Sequence, residues 1–133
     1  MSEIVGAHDE LYLSQAVDIR LSDFYLRIIK IRSMIFITQL IYLLEGQENI
    51  FHQFEDIAIP AIPKYNGRLL LRVRPEEKAI IESTMENPYE IHLVEFDTEK
   101  DFEDFMHDEE RKKFLYLKEQ SIKSVFLIKG TKL

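Results

Sequence analysis

An extended segment that is apolar on both sides needs cover on both sides, and residues 89–96 form such a segment. Tyr89, Ile91 and Leu93 alternate onto one face, and His92, Val94 and Phe96 onto the other. Asp97-Thr98 ends the run. Thr98 suits a helix N-cap, because its hydroxyl accepts from a free backbone N–H of the first turn. Asp101 stands three residues on, where a capping box more often has Glu or Gln. Glu99 and Asp101 also complement the positive end of the helix dipole. Phe102, Phe105 and Met106 supply an apolar helix face. The pattern resets at His107-Asp108, where Asp108 can cap a second helical piece with Phe114, Leu115 and Leu117 as its inner residues.

The preceding chain repeats the alternation of strand and helix. Residues 34–44, rich in Ile, Phe and Tyr, read as a strand that Glu45-Gly46 breaks. Residues 47–62 read as a helix with Ile50, Phe51, Phe54, Ile57 and Ala58 at core spacing. Pro60 strains its interior and Pro63 ends it. Asn66-Gly67 tolerates the positive φ of a helix exit. Residues 68–74 alternate strictly, with Arg68, Leu70, Arg72 and Arg74 on one side and Leu69, Leu71 and Val73 on the other. Residues 75–88 are a charged excursion around Ala79-Ile80-Ile81, expected to extend the strands as a hairpin arm. Residues 121–129 are the last strand, ending at Gly130.

The order is β-α-β-β-α-β, the split βαβ arrangement of an α+β, ferredoxin-like fold with an antiparallel sheet. Two helices cover one sheet face, so the two-sided apolar strands need a second cover. A second copy packing sheet to sheet supplies it and predicts a closed homodimer. The body spans residues 34–133, behind an N-terminal extension of residues 1–33. In that extension Leu21, Phe24, Tyr25 and Ile28 follow helical spacing, and Ser22 offers a cap, so a helix is predicted over residues 23–31.

The remaining bounds are negative. At 133 residues the chain holds one domain of ordinary size. A net charge of −7 argues against nucleic acid as a partner. There is no cysteine, hence no disulfide, thiolate metal site or thiol nucleophile. The opening, MSEIVGAHDELYL, lacks the basic region and apolar run of a signal peptide, so a cytoplasmic location is expected. Lys30 and Arg32 interrupt the apolar stretch at residues 28–44, and what remains is shorter than the about 20 residues a bilayer span takes. No membrane association is expected.

IPKYNGRLLLR at residues 62–72, YEIHLVEFDTEKDFEDFM at 89–106 and SVFLIKG at 124–130 resemble the dimeric α/β-barrel superfamily, in its small ferredoxin-like branch of unknown function. That branch runs helix, Pro, a Tyr or His, two glycines, Arg, a strand ending in Arg, then a strand ending Glu-Phe before a capped helix. Pro60, Tyr65, Gly67, Arg68, Arg72, Glu95, Phe96 and Thr98 match this pattern. Asn66 replaces the first glycine, and Asn also accepts left-handed geometry. The resemblance covers residues 34–131, and the extension has no counterpart in it. It implies the fold; for activity it points to cofactor-independent monooxygenases, lactone isomerases, haem-dependent enzymes and members without a known reaction, among which fold cannot choose.

Several residues offer chemistry. Arg72 and Glu95 lie on neighbouring strands and could orient an acidic or carbonyl substrate; the plain alternative is a structural ion pair. His92, inside a strand, could serve as a general base or be a hydrogen-bonded core histidine. His52 and Glu55, at i and i+3 on the first helix, have a spacing that can hold a metal, but no second carboxylate–histidine set accompanies them. Glu103, Asp104, His107 and Asp108 oppose an apolar face and read as solvated. Tyr42, Tyr65 and Tyr116 could line a pocket with Phe51 and Phe54, or be core. No phosphate loop or G-x-S-x-G elbow is present. The expected ligand-binding candidates are Arg72, Glu95, His92, Tyr65, Tyr42 and His52. The expected function is binding of a small organic molecule, extending to cofactor-independent oxygenation or isomerisation, with no cofactor. The alternative is a non-catalytic dimeric binding or interaction module.

Overall fold

A computed structural model describes residues 15–133; residues 1–14 of the N-terminal extension lie outside the described residues. The chain divides after Ser33. Among the described residues ahead of the division stands one helix, α1 (Gln15–Ser33). It is longer than the predicted 23–31, and Ser22 lies in its interior rather than at its cap. No Gly or Pro interrupts these residues, so nothing local stops the helix earlier.

The body, residues 34–133, runs β1 (Ile35–Leu43), α2 (Glu48–Ala61), a 3-10 turn (Ile62–Tyr65), β2 (Gly67–Val73), β3 (Glu90–Phe96), α3 (Glu99–Met106), α4 (Glu109–Lys113), α5 (Leu115–Ser121) and β4 (Ile122–Gly130). The strands form one sheet in the order β2-β3-β1-β4, with every pairing antiparallel. This is the ferredoxin-like order the alternation of elements predicted. Pro60 lies inside α2, one residue from its end, and the chain tightens there into the 3-10 turn. Asn66 then takes the left-handed conformation at φ 57°. Gly67 is needed for room: a Cβ there would stand 2.5 Å from Phe96 Cε1 and 2.7 Å from Ile62 Cγ2.

Alternation divides the sheet into two faces. Ile35, Ile37 and Ile41 of β1 and Val94 and Phe96 of β3 are buried, and with Phe51, Phe54, Ala58, Phe102 and Leu117 from the helices they form the core. Thr98 caps α3 as expected, its Oγ1 accepting from the Asp101 N–H at 3.0 Å. Asp108 likewise caps α4 by accepting from the Arg111 N–H at 2.9 Å. The opposite face carries Phe36, Leu40, Ile91 and Leu93, and beside them the exposed Leu71, Val73, Phe126 and Ile128.

Two expectations fail. The strict alternation of residues 68–74 is broken by a β-bulge between Leu69 and Leu71, so that Arg68 faces Glu95 across the ladder while Arg72 faces His92. Arg68 and Arg72 therefore project from opposite faces. Residues 75–88 do not extend the strands; their only regular piece is the 3-10 turn Glu77–Ala79. Pro75 and Pro88 bracket them, and proline gives no N–H to a ladder.

Candidate functional site

Between the sheet and the helices of the body lies a cavity of about 140 Å³. A cavity of that order holds a molecule of about one six-membered ring. Its walls are mostly apolar, with Ile37 and Ile41 from β1, Phe54 and Ala58 from α2 and Phe102 and Phe105 from α3. Five polar side chains reach it: Gln39, Glu55, His92, Arg111 and Lys118.

His92 is held from behind by Glu90, its neighbour two residues back on the same strand face. Nε2 stands 2.8 Å from Glu90 Oε1. Arg72 donates through Nε to Glu90 Oε1 at 2.8 Å and through Nη2 to Oε2 at 3.2 Å. Arg74 donates through Nε to Oε2 at 3.0 Å, and its Nη2 donates to the same oxygen. Burial would push the Glu90 carboxyl upward, but hydrogen bonds from His92, Arg72 and Arg74 hold it down at about 2. An ionised carboxylate only accepts, so His92 Nε2 carries the proton of this hydrogen bond. In the neutral ring Nδ1 is then the basic nitrogen. It lies 3.9 Å from Glu55 Oε2, too far for a hydrogen bond. Burial raises the Glu55 carboxyl above its ordinary value. The outcome is a carboxylate-backed imidazole whose second nitrogen makes no hydrogen bond and faces Glu55 across 3.9 Å, at a cavity with mostly apolar walls. Such a group can take a proton from a weak acid bound beside it.

Of the six candidate residues, His92 alone lines the cavity. Arg72 joins it indirectly, through Glu90. His52 sits further along the same network, with Nε2 2.8 Å from the Tyr89 hydroxyl and 3.0 Å from Arg74 Nη2. Glu95 is not paired with Arg72: the register sets it opposite Arg68, from whose Nε it accepts at 2.7 Å, and the bulge turns Arg72 to the other sheet face. Tyr65 donates to Asp108 Oδ1 at 2.6 Å and so supports the α4 cap. Tyr42 is buried against Phe126, with ring centroids 6.0 Å apart, and borders a separate, more open cleft with Arg74, Glu86 and Tyr89. Asp108 is buried rather than solvated. Among the described residues, no three His, Cys, Asp or Glu side chains gather as a metal site.

Glu90, Arg111 and Lys118 were missed by the sequence reading. Glu90 had a signal: it shares the strand face of His92, Val94 and Phe96, where a lone acid stands out among buried residues. Arg111 had a weaker one: it lies in the charged run EERKK, but stands three and four residues before the inner Phe114 and Leu115, at the spacing of one helix face.

No family model matches the chain, and no curated protein matches it. Solved structures do. A protein of unknown function from Rhodopseudomonas palustris, RPA0582, superposes with a TM-score of 0.65 at 13% identity, over 76% of this chain and 83% of that one. A dimeric protein of unknown function with a ferredoxin-like fold from Bacteroides fragilis gives 0.55 at 15% identity, over 75% and 97%. A DABB-family protein with a ferredoxin-like fold from Mesorhizobium loti gives 0.56 at 13% identity, over 75% and 97%. At these identities the likeness shows the ferredoxin-like fold, the one the sequence resemblance implied.

Proposed function

We propose that the body binds a small organic molecule of about one ring in the cavity beneath the sheet, and that His92 acts on it as a general base. The observation that carries this reading is the His92–Glu90 pair at the cavity, with Nδ1 free of any hydrogen bond. Glu90 fixes the tautomer and steadies the imidazolium that proton uptake forms. A base so placed starts an isomerisation by moving a proton from a carbon acid. The carbanion it leaves is also the species that a cofactor-independent oxygenase passes to dioxygen. The same reading makes the chain a homodimer, with the apolar sheet faces of two copies packed together.

Proton abstraction can be followed without knowing the natural substrate. Deuterium exchange at the α-carbon of phenylacetone in D2O, read by NMR, is expected to run faster with the wild-type chain than with His92→Gln. The wild-type advantage is expected to vanish in Val125→Phe, which fills the cavity from the sheet edge. Equal rates for wild type and His92→Gln reject the base. The exposed apolar face then favours the alternative, a non-catalytic dimeric module.

A further inference from the structure

The polar end of the cavity is richer in cations than in anions. Glu90 is engaged by Arg72, Arg74 and His92. That leaves Glu55 as the carboxylate lining the cavity with Arg111 and Lys118, while Asp108 acts on Arg111 and Glu119 on Lys118 from outside the lining; neither cation makes an ion pair within 4 Å among the described residues. Arg111 is only 6% exposed. Its Nη1 donates to the Met106 carbonyl at 3.0 Å, while Nε is buried with no acceptor. The guanidinium lies over the rings of Phe105 and Phe54, at 5.4 and 5.7 Å from their centroids, and both rings are cavity walls. A buried cationic donor without an acceptor is costly, and a carboxylate is the partner its planar fork fits best. Lys118, half-buried on α5, adds a second positive charge at the same cavity.

Resting on the small-molecule reading of this cavity, we propose that its ligand is a lipophilic carboxylate: a single ring seated among Phe54, Phe102 and Phe105, with its carboxylate on Arg111 and Lys118. The ring meets the apolar walls, and the carboxylate supplies the counter-charge that the Arg111 guanidinium and the Lys118 ammonium lack at the cavity. Arg111 and Lys118 are thus the specificity-determining residues, and His92 acts on the rest of the molecule.

Benzoate and its neutral isostere benzamide separate the two claims. By isothermal titration at neutral pH, benzoate is expected to bind the wild-type chain about tenfold more tightly than benzamide, the size of one charge-assisted hydrogen bond. Arg111→Met should abolish that preference while leaving benzamide binding intact, and Lys118→Met should reduce it. Arg111→Lys keeps the charge and should retain part of it. Because Lys118 is half-exposed, its variant gives a reading even if Arg111→Met fails to fold. Equal binding of the two probes, or tighter binding of benzamide, overturns the carboxylate proposal and leaves the cavity reading standing. A preference that persists in both methionine variants overturns the assignment to these residues. Failure of both probes to bind overturns the carboxylate proposal together with the reading it rests on.

Discussion

Glu90 is 1% exposed, and a carboxylate so buried stays ionised only if its partners outweigh desolvation. Here they do, since hydrogen bonds from His92, Arg72 and Arg74 bring it from 4.5 to about 2. The sign of the pH effect follows. Because the folded-state value is depressed, the stabilisation is complete above the unfolded value near 4.5 and is lost as pH falls toward about 2. The shift corresponds to roughly 3 kcal/mol. Glu90→Gln should therefore cost about that much at neutral pH, and little once the wild-type carboxyl is protonated. Denaturant melts of both proteins across the acid range test this; a penalty that does not change with pH would show that the ionised state is not what stabilises. Arg72 belongs to this same network, so its loss bears on folding as well as on the site.

Elements hold these residues in place by devices of differing legibility. The α3 cap is local: Thr98 Oγ1 accepts from the Asp101 N–H at 3.0 Å. Thr98→Ala should lower stability by about 1 kcal/mol, and Thr98→Ser should recover most of it. Urea unfolding of the pair checks the claim, and equal losses in both variants would assign the effect to the methyl group instead of the cap. The β2 bulge is not local. It places Arg72 and Arg74 beside Glu90 and sends Arg68 to Glu95 and, at 2.6 Å, to Asp97. Plain alternation within residues 68–74 contains no mark of it.

At the scale of the body, one sheet face carries exposed apolar side chains. Phe126 and Ile128 are 52% and 54% exposed, and Leu71 is 48% exposed on the same face. Apolar side chains of this size in one contiguous patch mark an interaction surface. Light scattering should find the wild-type chain at twice its own mass at micromolar concentration, and Phe126→Asp at the mass of one chain. A wild-type monomer would leave the face without the proposed partner. The cavity lies on the opposite side of the sheet, so an intact fold in the Phe126→Asp monomer allows ligand binding and assembly to be measured separately. Among the described residues, no helix is long and apolar enough to cross a membrane.

The order of elements, the helix caps at Thr98 and Asp108, the left-handed Asn66 and the grouping of His92, Val94 and Phe96 on one strand face were all determined by the sequence itself; which face the helices cover was not. Each depends on residues a few positions apart, and the periods of helix and strand express that spacing directly. The partner of each charge was decided only by the tertiary structure. Arg72 meets Glu90 rather than Glu95 because strand register is set by hydrogen bonds between distant segments, and one bulged residue transfers every later side chain to the other face. Arg111 is buried against Phe54 and Phe105, rings that come from helices distant in the sequence. The shifted titration of Glu55 and Glu90 likewise arises from burial and from neighbours that only the folded chain brings together.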